Sequence, residues 1–157
     1  MPDMLVKLYA LKNNGKIFQN LKLKGIDIRR AIAPKKHIVV RWVRENFGDD
    51  WASECETAFT NHPVTCIIAI EQKKIIGFAC VEATCKDYFG PTGVSKTSRG
   101  KNVGAGLLIE SMNMLSEMGY AYAIIGGAGP TKFYEKIVSA EVIEGSTPGI
   151  YEGILEG

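Results

Sequence analysis

The period of the apolar residues changes repeatedly along this chain, and each change marks an element. Met4–Leu11 reads as a strand that ends at the turn signal Asn13-Asn14-Gly15. A short helix over Ile17–Lys24 stops at Gly25, a residue suited to the position just past a helix end. Pro34 fits the first turn of a second helix, where Ile38, Val39, Trp42, Val43 and Phe47 recur at helical spacing as far as Gly48. Asp49 or Asp50 caps a third helix that carries Trp51, Cys55, Ala58 and Phe59 on one face and ends before Pro63.

From Thr65 the pattern changes. Thr65–Ile70 is a continuous β-branched run, the signature of a strand buried on both faces. Gln72-Lys73 is a polar reversal into a second hairpin arm, Ile75–Thr84, and Tyr88–Val94 is a third strand interrupted by Gly90, Pro91 and Gly93. Val103–Met118 follows as a helix closed by Gly119, then a strand over Tyr120–Ile125 and the loop Gly126–Pro130. A last helix spans Thr131–Val138, and Glu141–Ile143 is expected to pair with Ile150–Leu155 across Ser146–Gly149. The order is strand, helices, three strands, helix, strand, helix, hairpin, without repeats or linkers. It fits one mixed α/β domain over residues 1–157.

Composition narrows the class. The 46% hydrophobic and 23% charged content is that of a folded globular chain, and a net charge of +2 gives no ground for a nucleic-acid partner. Nine Lys/Arg lie between Lys16 and Arg44 against a single acid, Asp27. That segment is either a solvated basic face or a region that steers an anionic cofactor or substrate. No apolar run reaches the length of a bilayer span, and the N-terminus lacks a signal peptide's basic flank and apolar stretch. A cytoplasmic protein without a membrane partner is the expectation. Cys55, Cys66, Cys80 and Cys85 sit in apolar surroundings without metal-ligand spacing, so they read as small buried hydrophobes, with neither disulfide nor metal expected.

The chemistry concentrates in Val94–Leu108, where a strand ends, a basic loop follows and glycines open an amphipathic helix. The first N–H groups of a helix lack intrahelical partners, and its dipole favours an anion there. Glycine at 104 and 106 removes side chains that would hold a diphosphate away from those donors, while Arg99 and Lys101 add positive charge. A helix packed close to its strand accounts equally well for Gly104-x-Gly106. A Walker loop is excluded, since GxxxxGK[ST] does not occur. A dinucleotide fingerprint lacks its third glycine and the acid at the end of the next strand.

Lys101-Asn-Val-Gly104-Ala-Gly106 resembles the Q/R-x-x-G-x-G/A motif of the GNAT N-acetyltransferase superfamily, with Lys in first place. Phe133-Tyr134-Glu135-Lys136 is similar to the tyrosine-bearing segment of that family's next helix, and the element order from about Thr65 to Leu155 is also alike. The resemblance implies a central, mostly antiparallel mixed sheet, splayed between its fourth and fifth strands and flanked by helices. It implies acetyl transfer from acetyl-CoA to a primary amine by direct attack, with no metal. The pyrophosphate would lie on Lys101, Asn102, Val103, Gly104, Ala105 and Gly106, the pantetheine and thioester on the Val94 backbone, with Arg99 and Lys96 nearby. Tyr134 would protonate the leaving thiolate. Without the resemblance, Tyr134 at i, i+4 with Val138 reads as a core aromatic.

An alkyl amine with pKa about 10.4 is neutral to only about one part in a thousand at pH 7, so its proton must be removed. Tyr88–Gly93 contains no carboxylate, which leaves Glu82, or an ordered water, as the base; Asp87 is the other nearby acid. Glu82 reads equally as a solvent-facing strand residue. The family's Asn upstream of the tyrosine is missing, with Gly127 near its place. Those two departures support an alternative, a catalytically inactive acyl-CoA-binding module. The acceptor, a small-molecule or peptide amine, would be shaped by the region holding His37, Trp42, Phe47, Trp51 and His62. Strand edges near the C-terminus suit a homodimer.

Overall fold

A computed structural model describes all 157 residues. The strands are β1 Met4–Lys7, β2 Ile26–Arg30, β3 Cys66–Glu71, β4 Lys74–Val81, β5 Tyr88–Val94, β6 Tyr122–Ile125 and β7 Glu141–Val142. They form one mixed sheet in the order β2-β3-β4-β5-β6-β1-β7, in which only β5–β6 is parallel. The helices are α1 Gly15–Leu23, α2 Lys36–Phe47, α3 Asp49–Thr60, α4 Val103–Glu117 and α5 Thr131–Val138.

Alternation along the central strands divides the core. Ile67 and Ala69 of β3, with Ala79 and Val81 of β4, face α1, α4 and α5 in one cluster of 23 buried residues. Cys66 and Ile68, with Phe78 and Cys80, face α2 and α3 in a second cluster of 13. Both faces of β3 are therefore covered, which is why its sequence is continuously apolar. The β3–β4 reversal holds Gln72 and Lys73 at φ 49° and 62°, matching the twist of a two-residue hairpin.

Three expectations from the pattern fail here. Residues Ile26–Arg30 form a strand where the sequence reading placed none; Ile26 is buried and Asp27 pairs with Arg29 at 3.0 Å on this edge. Glu141–Val142 pairs with Met4–Leu5 and not with residues 150–155, which hold only a 3₁₀ turn over Gly149–Tyr151. The competing partner is anchored by the Ile143 N–H, which donates to the Asp3 carbonyl at 2.9 Å. Asp49 and Asp50 lie inside the first turn of α3 rather than at its cap, which Gly48 occupies at φ 100°. Asp49 instead accepts from Arg44 Nε at 3.1 Å.

Folding also brings together three thiols that are scattered in sequence. Cys66 and Cys80 are cross-strand partners, and Cys55 of α3 packs over them, all three Sγ atoms lying within 4.8 Å of one another. All three are free and buried, and burial holds the Cys80 thiol well above its ordinary pKa.

Beside them, Trp42, Phe47, Trp51 and Phe78 form an aromatic cluster with centroids 5.1–6.2 Å apart. The Phe47 ring lies directly over Gly93 of β5, where a Cβ would collide with it. Gly93→Ala is expected to destabilise the fold by about 1–3 kcal/mol through overpacking. Combined with Phe47→Leu it should cost less than the sum of the single changes, as urea denaturation of the double-mutant cycle will read.

Candidate active site

Strands β5 and β6 pair at only two positions, Tyr88↔Ile124 and Phe89↔Ile125. Beyond Phe89, β5 passes through Gly90 at φ 124° and Pro91, which has no N–H to offer a neighbour. β5 stays with β4 as far as Gly77↔Val94, whereas β6 ends at Ile125 and turns away at Gly126-Gly127. The sheet splays there, and a cleft of ≈ 720 Å³ opens between the strands, α4 and α5.

One wall of this cleft is the start of α4. Asn102 adopts the left-handed conformation at φ 67°, and its carbonyl accepts the Gly106 N–H at 3.0 Å. The N–H groups of Val103, Gly104 and Ala105 have no protein partner, and these residues line the cleft. A Cβ on Gly104 would sit 3.8 Å from both Phe133 and Val94, so the helix tolerates one there, but it would project into the cleft. Gly106 differs. A Cβ there would lie 2.6 Å from Leu21 Cδ1, on the side packed against α1 and β2. Its role is close helix packing, whereas Gly104 faces the cleft.

Not all the expected cradle residues converge. Val94, Arg99, Asn102, Val103, Gly104 and Ala105 line the cleft, while Lys96, Lys101 and Gly106 do not. Lys101 turns toward Glu71 at 3.9 Å, and Lys96 is exposed in the 3₁₀ turn Lys96–Ser98. Arg99 Nε donates to the Val94 carbonyl at 3.3 Å, which fixes the guanidinium at the cleft's edge. Lys136 on α5 supplies a second lining cation, which the sequence reading had named only as part of the tyrosine segment.

Tyr134 enters from α5. Its ring is 6% exposed, packs edge-on against Phe89 at 6.1 Å and belongs to the core cluster with Val138. Phe133 and Ile137 are partly buried against the core and line the cleft beside it. The Tyr134 hydroxyl makes no hydrogen bond to protein, and desolvation raises its pKa to about 12. It is a proton donor at every ordinary pH.

Glu82, expected as the base, does not line this cleft. It lies at φ 60° at the far end of β4, accepts the Asp87 N–H at 3.1 Å and lines a separate pocket with His62 and Tyr120. The neighbouring carboxylate raises Tyr120 to about 12. Of the residues expected to shape an acceptor site, Trp51 lines the cleft, whereas Trp42 and Phe47 fill the aromatic cluster and His37 is exposed.

No protein-family model and no curated protein matches the chain. Solved structures do. The chain is 15% identical to the GCN5-related glucosamine N-acetyltransferase region of a fungal multi-domain GH3 β-N-acetylglucosaminidase, with TM-score 0.76 over 90% of this chain and 19% of that one. A GCN5-related N-acetyltransferase from Sphaerobacter thermophilus gives 16% identity and TM-score 0.69 over 90% of this chain and 48% of that one. A GNAT-family acetyltransferase from Brucella melitensis, solved in complex with acetyl-CoA, gives 15% and 0.52 over 75% and 86%. The chain thus has the GNAT fold, and it spans less than half the length of the first two relatives. No helix is long and apolar enough to cross a membrane.

The raised Tyr134 phenol makes a stability prediction. Its folded pKa of about 12 exceeds the unfolded value of about 10, so its stabilising contribution is complete below pH 10 and disappears as pH rises through 12. Relative to Tyr134→Phe, the parent should lose stability between pH 9 and pH 11.5, as paired urea titrations at the two pH values will show.

Proposed function

We propose that this chain transfers an acetyl group from acetyl-CoA to a primary amine by direct attack. The observation that carries the reading is the set of unpartnered Val103, Gly104 and Ala105 amides facing a cleft whose only charged lining side chains are Arg99 and Lys136. Three oriented N–H donors at a helix start and two flanking cations suit a pyrophosphate, each charge-assisted bond contributing about 1.5–3 kcal/mol. The β5 edge from Gly90 to Val94, unpaired toward β6, offers extended backbone to a pantetheine arm, and the likeness to acetyl-CoA-binding relatives supports the same ligand.

In this reading the amine enters through the gap beside Trp51 and attacks the thioester carbonyl. Its ammonium proton leaves to water, since Glu82 is turned away. The C–N bond forms, the C–S bond breaks, and Tyr134 gives its proton to the sulfur. A phenol at about 12 donating to a thiolate near 8.5 is uphill by about 5 kcal/mol if stepwise. Donation is therefore coupled to C–S cleavage, and the proton shed by the attacking nitrogen restores the phenol.

A second reading, acyl-CoA binding without turnover, draws on the same cleft and on its lack of a carboxylate. Calorimetry with CoA, followed by thiol release from acetyl-CoA over a panel of amines, separates the two: binding with no release across the panel favours the second. Gly104→Val should fold normally yet lower CoA affinity at least tenfold, and unchanged affinity would remove the cradle. Tyr134→Phe should lower kcat about 10²–10⁴-fold with near-normal CoA affinity, the range of a general acid.

A further inference from the structure

The cleft continues into a second chamber of ≈ 830 Å³, which shares with it Met1, Trp51, Phe89 and the Gly90-Pro91 and Gly126-Gly127 corners. The two chambers are opposite in charge. The first is lined by Arg99 and Lys136 with no carboxylate; the second is lined by Asp50 and Glu54 with no lysine, arginine or histidine. Asp50 and Glu54 are four residues apart on α3, so they share a face of that helix.

Glu54 is the better placed. It is half-buried, and its Oε1 accepts the Thr84 hydroxyl, which holds the carboxylate in position. Tyr151 lines the same chamber, its hydroxyl 3.5 Å from where a Cβ of Gly126 would stand, at the end of β6. Glu54, Thr84 and Tyr151 thus share the wall of this chamber beside the gap between the splayed strands. Asp3 adds a third carboxylate behind the wall, accepting the Gly127 N–H at 2.8 Å; burial, and after it the charge of Asp3, push the Tyr88 phenol up. Trp51, Ile150, Ile154 and Leu155 close the remaining sides.

We infer that the second chamber seats a small amine cation free of carboxylate groups, and that Glu54 is the residue that selects it. This deepens the acetyl-transfer reading and rests on it for the chamber's role as acceptor site. A chamber of one sign with apolar walls concentrates the opposite charge. An ammonium there meets Glu54 and an aromatic face, whereas an amino acid or acidic peptide brings an anion against two uncompensated carboxylates.

The test uses 1,4-diaminobutane and 4-aminobutanoate, which differ in replacing one ammonium by a carboxylate. Calorimetry is run on the CoA-saturated protein. The expected result is that 1,4-diaminobutane binds, 4-aminobutanoate binds at least tenfold more weakly, and Glu54→Gln weakens 1,4-diaminobutane at least tenfold. Unchanged CoA affinity and an unchanged melting temperature in Glu54→Gln show that the variant is intact; Glu54→Asp serves in its place if it is not. Equal binding of the two ligands, equal binding by the variant, or no binding of 1,4-diaminobutane overturns the inference. Failure of the transfer reading is seen separately: CoA does not bind, or bound amine is never acetylated.

Discussion

Parallel pairing between β5 and β6 stops after two residue pairs, and the site depends on that interruption. A parallel ladder carried through to Val94 would satisfy the backbone of both strands and leave no space between them. Gly90 and Pro91 prevent it, one by its left-handed φ and the other by its missing donor. β5 nevertheless remains in the sheet because its other edge is held by β4, and Phe47 pins Gly93 from above. The opening is therefore bounded by strands that cannot relax into it. Both chambers meet at this gap, and the helix starts and aromatic side chains around it are placed by packing elsewhere in the fold.

Much of this was legible in the sequence, and the failures share a cause. Runs with a strong period and a local partner were read to within a few residues: Tyr88–Val94 and Thr131–Val138 match at both ends, and Val103–Met118 runs one residue past α4. The missed and misplaced elements are short strands whose partners are distant in sequence. β2 has five residues, only Ile26 of them buried, and β7 has two. Their existence is set by β3 and β1, whose residues lie 45 and 138 positions away at the pairs Ile26↔Glu71 and Met4↔Val142. The alternation of Ile26 and Ile28 with Asp27 and Arg29 was a signal for β2, but nothing in Glu141–Val142 points to β1 over a nearer hairpin partner.

The site was legible to a different degree at each position. The glycine-opened helix could be found from sequence because helix physics fixes where free N–H groups must lie. Which glycine faces the cleft could not, because that depends on where Leu21 of α1 packs. The place of Glu82 could not be read for a related reason. Glu82 is close in sequence to β5, but the chain reverses between them, and its carboxylate is taken up by the Asp87 N–H on the far side. Glu54 and Thr84 are 30 residues apart and meet only in the folded chain.

Tyr134 combines a core position with a hydroxyl that makes no hydrogen bond to protein. Its ring is buried against Phe89 and contributes to the larger core, and that same burial removes water from the phenol and raises its pKa to about 12. A solvated phenol would be held less firmly and would be free to hydrogen-bond water. Packing on one side and an unpartnered hydroxyl on the other together keep a neutral phenol at the cleft wall. The i, i+4 spacing with Val138, which in sequence argues for a core aromatic, puts both side chains on the buried face of α5. Because Phe89 is also the last β5 residue paired with β6, the ring packed against Tyr134 sits at the point where the sheet begins to open.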